Sequence, residues 1–246
     1  MVTDIASSMV AQHVAILTTC YRRWDYLHQA LPSWRGLHGL GRILVGCLDA
    51  DPPPALPRGV ELVHVPDRRF HIARLRNALA QRVRGDDAIT HLAFIDADIV
   101  VREPRVFVPP AGVQVLVDSP FAVVASPDEA VRPGDPERAD GGIDRGKRGT
   151  HLVCKALFFA LGGYDQRLSG WAGEDINLYH RYARAGARIG CYDRAGITHI
   201  PHGDHERAVA NPAGESPADS RRRNHAITFQ QPDLYGHSWR DSFGYA

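Results

Sequence analysis

The feature that most constrains the fold is an alternation of short apolar runs with amphipathic segments over the first hundred residues. Four runs have the length and composition of buried strands: 13–18, 42–48, 60–65 and 91–95. Apolar residues at helical spacing follow the first run, at Trp24, Leu27 and Leu31, and the third run, over 72–83. Strands that alternate with helices predict an α/β fold, built on a mixed, mostly parallel sheet with flanking helices on both faces.

Chain breakers and weaker patterns complete the predicted order of elements. Pro32 and the glycines after it are expected to end the first helix. In the second half, a strand is predicted at 151–160, a helix at 176–185, and short strands at 187–192 and 196–200. Two segments rich in polar residues, Pro and Gly are predicted to be loops, 128–150 and 203–224. The second is long enough to act as a lid.

Composition excludes several classes of protein. The chain has 246 residues, 44% of them hydrophobic and 23% charged, which is typical of a soluble globular protein. A net charge of +1 offers no field to attract nucleic acid, and no apolar run is long enough for a transmembrane segment. The N-terminus lacks the pattern of a secretory signal, and the four cysteines lack paired spacing. Reduced thiols and a cytoplasmic location are therefore expected.

Acidic residues stand at the ends of two predicted strands. Asp49 and Asp51 follow the second strand, and Asp96 and Asp98 follow the fourth with Ala97 between them. In parallel sheets, ligands bind beyond the carboxyl ends of the strands. On an extended backbone, two carboxylates two residues apart can face the same way, and such hard oxygen ligands suit Mn²⁺ or Mg²⁺. A solvated acidic turn is the alternative that this motif alone leaves open.

A second motif precedes the helix predicted at 176–185. It runs from Trp171 to Asp175, with Glu174 and Asp175 in the first helical turn and a Gly162-Gly163-Tyr164-Asp165 segment shortly upstream. The helix dipole favours acidic residues at this position in any protein, so their position alone does not indicate chemistry. The dipole is also expected to lower the pKa of Asp175, which would make this carboxylate a weaker base. The Trp171 ring could either pack in the interior or stack on a sugar.

Histidines close the last predicted strand. His199 and His202 precede the loop predicted at 203–224, and His205 lies at its start. Two histidines with this spacing are candidate metal ligands. A zinc ion bound by these histidines alone, away from Asp98, remains a competing interpretation.

Taken together and in order, these motifs resemble the GT-A-fold glycosyltransferases. The resemblance is carried by the first strand with its Tyr-Arg-Arg loop, by 96–98, by 162–165 and by 170–175. The closest group is related to β-1,4-galactosyltransferases and chondroitin-type N-acetylgalactosaminyltransferases. Its Gly-Trp-Gly-Gly-Glu-Asp pattern is matched at 170–175, except that Ala172 replaces a glycine. The resemblance covers about residues 13 to 202.

The resemblance implies a domain plan and a cofactor. Residues 1–246 would form a single GT-A domain, with a nucleotide-sugar-binding half at 13–125 and an acceptor and catalytic half at 126–202. Residues 203–246 would form a mobile loop, closing over the bound donor, and a C-terminal tail. Mn²⁺, with Mg²⁺ as an alternative, would be bound by Asp98, His199 and His202.

The resemblance also implies the roles of individual residues. Asp175 would be the catalytic base, with Glu174 holding an acceptor hydroxyl and Trp171 bracketing the sugars, so that these three residues bind the acceptor. Either Arg74 or Arg76 would contact the diphosphate. The residues implied to bind the donor are Thr18, Cys20, Tyr21, Arg22, Asp49, Arg76, Asp96, Ala97, Trp171 and Gly173.

The reaction implied is metal-dependent, inverting transfer of a hexose or N-acetylhexosamine. The sugar would pass from a UDP-sugar to a hydroxyl of a glycan, a glycolipid or a small molecule. Two alternatives stay open. A sugar-1-phosphate nucleotidyltransferase would need a glycine-rich loop after its first strand, and residues 18–24 contain no glycine. A catalytically silent module that binds nucleotide-sugars or carbohydrates would keep the motifs without the chemistry.

Overall fold

The computed structural model describes residues 13–49, 53–65, 71–118, 149–170, 172–201 and 215–230. Predictions for Asp51, Trp171, His202 and His205 lie outside the described residues, as do most of the loop predicted at 128–150, the segment 203–214 and the C-terminal tail after 230. The strands are β1 (Val14–Cys20), β2 (Leu40–Cys47), β3 (Val60–His64), β4 (His91–Phe94), β5 (Ile99–Val101), β6 (Val115–Val117), β7 (His151–Cys154), β8 (Ile189–Cys191) and β9 (Ile197–His199). The helices are α1 (Trp24–Trp34), α2 (Ile72–Arg82), α3 (Lys155–Ala160), α4 (Glu174–Arg184) and α5 (Pro217–Gln230).

Seven of these strands form one mixed sheet in the order β3-β2-β1-β4-β7-β6-β8. The pairs β1–β2, β1–β4, β2–β3 and β6–β8 are parallel, whereas β7 runs antiparallel to both β4 and β6. The remaining strands β5 and β9 form a small antiparallel ribbon. The predicted α/β class with a mixed, mostly parallel sheet is therefore confirmed.

Strand β1 lies inside the sheet, and its side chains pack into two apolar layers. Val14 and Ile16 point into a core formed with α1, where Leu27 and Trp34 are fully buried. Ala15 and Leu17 point to the opposite face and join a core formed with α2 and α4. Because successive side chains of a strand face opposite sides, one continuous apolar run serves both layers. The run at 13–18 could therefore be recognised as a strand covered on both faces.

Three predictions of secondary structure were wrong. Helix α1 continues through Pro32 to Trp34, because a proline in the last turn removes only one hydrogen bond while Leu31 and Trp34 are buried. The strand predicted at 151–160 ends at Cys154, and the remaining apolar residues form α3. Short apolar runs do not distinguish a strand from a buried helix. In the loop predicted at 203–224, residues 217–224 are helical and belong to α5.

Two short strands were not predicted. Each of β5 and β6 has only three residues, too few for a pattern of alternation to emerge. The ribbon formed by β5 and β9 matters for the site, because it places Ile99 opposite His199. Within the part of the chain that the structure describes, no helix is long and apolar enough to cross a bilayer. All four cysteines are described and none forms a disulfide bond.

The Trp34 side chain is expected to be a major contributor to stability. It is fully buried, and its indole Nε1 donates a hydrogen bond to the Ile99 carbonyl at 2.8 Å. The substitution Trp34→Ala should lower the free energy of unfolding by about 3–5 kcal/mol, since it leaves a cavity and an unpaired carbonyl. Urea denaturation followed by circular dichroism measures this loss. In the control variant Leu62→Ala, at an exposed position, the change should stay below about 1 kcal/mol; equal losses would contradict this account of the core.

Candidate active site

The two aspartates after β4 lie in a turn rather than on an extended backbone. The Ile99 amide donates a hydrogen bond to the Asp96 carbonyl at 3.0 Å, which reverses the chain across Ala97 and Asp98. The prediction of an extended backbone at this motif was therefore wrong. Asp96 instead pairs with Arg76, and Asp98 pairs with Arg23. Burial raises the pKa of Asp96, and the negative charge of Asp98 adds to the effect.

Asp98 and His199 come together at the start of the β5–β9 ribbon. Asp98 is buried, its Oδ2 accepts a hydrogen bond from Arg23 Nη1 at 2.8 Å, and His199 Nε2 lies 3.6 Å from the same oxygen. Neighbouring ligand atoms that each lie about 2.1 Å from one octahedral cation are about 3 Å apart, so a small closing movement would bring these two atoms to that separation. A carboxylate oxygen and an imidazole nitrogen are donors that Mn²⁺ accepts. These two residues therefore fit a shared divalent cation.

The third ligand implied by the sequence resemblance, His202, lies outside the described residues. Among the residues that are described, no group of three or more His, Cys, Asp or Glu side chains is arranged to hold a metal ion. The metal site therefore stays a prediction that rests on Asp98 and His199, with His202 next along the chain from β9.

The buried guanidinium of Arg76 connects Asp96, which the resemblance assigns to the donor, with Asp175, the predicted base. Arg76 of α2 is 3% exposed. Its Nη2 donates to Asp96 Oδ1 at 2.8 Å, and its Nη1 donates to Asp175 Oδ1 and, at 3.0 Å, to the Tyr164 hydroxyl. Asp96 ends β4 and Asp175 begins α4, so one side chain joins two elements that are far apart in sequence. Sequence reasoning gave Arg76 a diphosphate contact, which stays a prediction; the structure shows it bonded to two carboxylates.

Close backbone approach keeps this cluster compact. A Cβ atom added at Gly149 would lie 2.5 Å from Asp96 Oδ2 and 2.7 Å from Arg76 Nη2. A larger residue at this position would require the Asp96 and Arg76 side chains to shift. Gly149 precedes β7, the antiparallel neighbour of β4, and sequence patterns gave no signal for this role.

Desolvation governs the acidity of the predicted base. Burial raises the pKa of Asp175 to about 8; Arg76 opposes this shift, and the negative charges of Glu174 and Asp96 support it. Burial likewise raises the pKa of Glu174. The expectation that the helix N-terminus would make Asp175 a weaker base was therefore wrong. The Arg76 guanidinium pairs with two carboxyl groups and lies near that of Glu174, and the cost of burying these groups exceeds the effect of the helix dipole.

The loop before α4 is held in an unusual conformation by α5. Ala172 and Gly173 both have positive φ angles, +68° and +102°, a region that side chains with a Cβ rarely adopt. The Asn224 side chain of α5 donates to the Ala172 carbonyl at 2.6 Å and to the Ser169 carbonyl at 3.1 Å. Ser220 also bonds to the Ser169 carbonyl. The strained residue is Ala172, the position where the family pattern has glycine.

The residues predicted to bind the nucleotide base come together at the end of β1 and after β2. Asp49 Oδ2 accepts hydrogen bonds from Trp24 Nε1 at 3.0 Å and from the Arg22 amide at 3.3 Å. Thr18 Oγ1 and Asp49 Oδ1 are buried and have no hydrogen-bond partner within the described part of the chain. Burial raises the pKa of the Cys20 thiol to about 12, so it stays neutral. Thr18 and Asp49 therefore carry unsatisfied polar atoms among the predicted base-binding residues, and the use of these residues by a base stays a prediction.

Several residues of the site were missed by sequence reasoning. Arg23 pairs with Asp98, although only its neighbours Tyr21 and Arg22 were singled out, and the Arg22 guanidinium instead lies over the Tyr21 ring. Tyr164 belongs to a motif that was noticed, but its contact with Asp175 was not foreseen. Asn224 fell in a segment predicted to be a loop. The signals were absent because each contact joins residues more than ten positions apart.

Removal of the Arg76 guanidinium should destabilise the protein, because the carboxylates that it pairs would be buried without a cation. Arg76→Met is expected to lower the free energy of unfolding by about 3–5 kcal/mol above pH 8, where Asp175 is ionised, because it leaves buried carboxylates unpaired. When a carboxyl group has a higher pKa in the folded protein than in the unfolded chain, the free energy of unfolding falls as pH rises between the two pKa values. Removal of Arg76 raises the folded-state pKa of Asp175 further above its wild-type value of about 8, so the difference between variant and wild type grows as pH rises through 8. The loss should therefore be larger at pH 9 than at pH 5, as measured by urea denaturation. The control Arg74→Met, on the same helix, should change stability little at either pH.

Several known proteins are similar to this chain. A protein-family model described as the N-terminal domain of galactosyltransferase matches residues 146–205. Among curated proteins, none matches the chain. A Drosophila β-1,4-galactosyltransferase 7 mutant, solved with manganese, UDP-Gal and xylobiose, has 19% identity and a TM-score of 0.55 over 83% of this chain and 76% of that one. The catalytic domain of the same Drosophila enzyme, solved with xylobiose, has 20% identity and a TM-score of 0.53 over 79% and 73%.

An archaeal enzyme has the same fold. The mannosyltransferase from Pyrobaculum calidifontis, solved with GDP-Man and Mn²⁺, has 16% identity and a TM-score of 0.52 over 90% of this chain and 70% of that one. At these identities the likeness establishes the fold. The chain therefore has the fold of the GT-A glycosyltransferases, and the match at 146–205 confirms its resemblance to the group related to β-1,4-galactosyltransferases.

Proposed function

We propose that this protein is a metal-dependent, inverting glycosyltransferase. It transfers a hexose or N-acetylhexosamine from a UDP-sugar to a hydroxyl of a glycan, a glycolipid or a small molecule. The observation that carries the proposal is the Arg76 bridge, because it joins Asp96 of the donor-side motif to Asp175, the predicted base. A transferase needs its leaving group and its base close together, and a bridge between these two motifs supports that arrangement. The fold neighbours support the proposal, since they were solved with UDP-Gal or GDP-Man and with manganese.

The donor would lie across the carboxyl ends of β1, β2 and β4. Thr18, Cys20, Tyr21, Arg22 and Asp49 surround the base, and Asp96 with Ala97 lies toward the ribose. Buried Thr18 Oγ1 and Asp49 Oδ1 support this placement, because a polar ligand would satisfy them. Trp171 and Gly173 complete the donor contacts on the acceptor side.

Asp98 and His199 would hold a divalent cation, together with His202. Their 3.6 Å separation and their donor chemistry support this assignment. When bound, the cation supplies positive charge to the diphosphate leaving group. The Arg23 guanidinium already lies beside Asp98. It would donate a hydrogen bond to a phosphate oxygen of the bound donor.

Asp175 would act as the general base. The acceptor hydroxyl oxygen attacks the anomeric carbon, the bond from that carbon to the diphosphate oxygen breaks, and the hydroxyl proton passes to the Asp175 carboxylate. Attack from the face opposite the leaving group inverts the configuration. A base with a pKa of about 8 is well matched to a reaction near neutral pH. Glu174 would hold a second acceptor hydroxyl, and Trp171 would pack against the sugars.

Replacement of the base should separate binding from chemistry. In Asp175→Asn, kcat should fall by about 10³-fold or more, because the amide cannot accept the proton, while the affinity for UDP-sugar should change less than about threefold. In the wild type, kcat/KM should rise with pH up to about 8, as the carboxyl ionises. Product formation and calorimetric donor binding measure the two effects.

A surface carboxylate provides the control for this variant. Asp87→Asn, at an exposed position, should retain full activity. If Asp175→Asn abolished donor binding, its role as base would be rejected. If donor bound normally and no tested acceptor were glycosylated by the wild type or the variant, a silent binding module would be favoured.

Activity should depend on a divalent cation. EDTA should abolish transfer and added Mn²⁺ should restore it. Asp98→Asn and His199→Gln should each weaken Mn²⁺ binding in the presence of UDP by about 10–100-fold, as measured by calorimetry. His91→Gln, which changes a histidine at the opposite end of β4, should leave Mn²⁺ affinity unchanged. Undiminished turnover in the chelator would remove the metal from the proposal.

A further inference from the structure

Tyr164 is held more firmly than its position after two glycines would suggest. The Asn77 side chain of α2 bonds to both backbone groups of Tyr164: its Oδ1 accepts from the Tyr164 amide at 2.9 Å, and its Nδ2 donates to the Tyr164 carbonyl at 2.8 Å. A Cβ at Gly163, whose φ is +66°, would lie 2.5 Å from that Oδ1, so a glycine is needed for this approach. The buried Arg181 side chain of α4 bonds to the Leu161 and Gly163 carbonyls. The backbone at 161–164 is therefore fixed from two helices.

The Tyr164 ring is equally constrained. It is fully buried and meets the edge of Phe94, with the ring centres 5.2 Å apart, and it also contacts Phe158 and His151. The Arg76 guanidinium carbon lies 5.2 Å from the ring centre. Burial holds the pKa of Tyr164 well above its ordinary value, so its hydroxyl keeps its proton. This rigid ring places one protonated hydroxyl at a defined point.

The direction of the hydroxyl proton follows from its two neighbours. Arg76 Nη1 lies 3.0 Å from the Tyr164 oxygen, and a guanidinium can only donate. The tyrosine proton is therefore directed to its other neighbour, Asp175 Oδ1, at 3.3 Å. This separation is long for a hydroxyl donor, and hydrogen bonds of catalytic groups often shorten when the substrate binds. Arg76 donates to the same carboxylate oxygen.

Both partners therefore engage one oxygen of the carboxylate. Within the described part of the chain, the two hydrogen bonds made by the Asp175 carboxylate end on Oδ1, and the side chain keeps 14% exposure. The second oxygen, Oδ2, is left for another donor. In a general base this is the oxygen that would receive the acceptor proton.

We propose that Tyr164 is a positioning residue for Asp175: its hydroxyl holds Oδ1 and thereby presents Oδ2 to the acceptor hydroxyl. The inference rests on the proposed function of Asp175 as the base. It goes beyond that function, because it assigns the second Tyr164 contact a role in orienting the carboxylate and in setting its basicity. A hydrogen bond donated to a carboxylate favours its charged form, so loss of the hydroxyl makes Asp175 harder to ionise.

The groups that face Asp175 define what else could affect its ionisation. They are Arg76 from α2, Asp96 after β4, Glu174, Tyr179 and Tyr182 from α4, and Tyr164 itself. Tyr182 is also fully buried and belongs to the same aromatic cluster, but its hydroxyl has no hydrogen-bond partner among the described residues. Tyr182→Phe is therefore the matched control for Tyr164→Phe, since each removes one buried hydroxyl and leaves the ring in place.

The first experiment needs no substrate. The wild type, Tyr164→Phe and Tyr182→Phe are labelled with ¹³C at the aspartate side-chain carboxyl carbons, and the Asp175 resonance is identified by its absence from Asp175→Asn. Titration with acid and base then measures the Asp175 pKa in each protein. Tyr164→Phe should raise it by about one, whereas Tyr182→Phe should leave it unchanged. An unchanged Asp175 pKa in Tyr164→Phe would overturn the proposal.

The second experiment tests the effect on chemistry. With the donor and acceptor that the wild type uses, Tyr164→Phe should lower kcat by about tenfold, leave both KM values within about twofold, and move the acid limb of kcat/KM to higher pH. Tyr182→Phe should do none of these. An unchanged kcat in Tyr164→Phe, in an enzyme that Asp175→Asn inactivates, would overturn the positioning role. An active Asp175→Asn enzyme would instead reject the proposed function itself.

A third protein covers the case in which Tyr164→Phe does not fold. Tyr164→3-fluorotyrosine keeps the ring and the hydroxyl but makes the hydroxyl a stronger donor. It should lower the Asp175 pKa and move the acid limb of kcat/KM to lower pH, the opposite of the effect expected for phenylalanine. Absence of any shift in this protein would also overturn the proposal.

Discussion

The arrangement of the site depends on one buried positive charge shared among carboxylates. Arg76 lies inside the protein and binds Asp96 on one side and Asp175 on the other, with Glu174 close by. A guanidinium in this setting is stable only because its donors are matched to oxygen acceptors. The carboxylates in turn need it, since burial disfavours their charged forms. This interaction therefore holds the turn at Asp96 next to the first turn of α4.

The rest of the fold supplies the supports for that charge cluster. The central strands β1 and β4 bring their carboxyl ends to one edge, where Asp96 and Asp98 emerge. The β5–β9 ribbon returns His199 to Asp98, and α5 holds the carbonyls of the loop before Asp175. Each support comes from a different part of the chain. Rigid elements that converge on a few polar groups are what a preorganised catalytic site requires.

The acidity of Asp175 illustrates how context reverses a local rule. Considered alone, an aspartate in the first turn of a helix has a lowered pKa. Here burial and two neighbouring carboxyl groups raise that pKa, and the single cation is divided among several acceptors. The same comparison applies to Pro32 and to Ala172, where packing and hydrogen bonds from distant residues overcome unfavourable local preferences. A local preference is overcome when tertiary contacts change the free energy by more than the preference itself does.

The sequence by itself determined the strands of the parallel half, the α/β class, and the Asp96, Asp98, Glu174 and Asp175 positions at element ends. It could do so because apolar periodicity and acidic residues at strand and helix ends are local signals. Only the tertiary structure decided that Arg76 bridges Asp96 and Asp175, that Tyr164 bonds to Asp175, and that Asn224 supports Ala172. These contacts join residues separated by 11 to 99 positions, and no spacing rule encodes such pairs. Their energies depend on burial, which exists only once the sheet and its helices have packed.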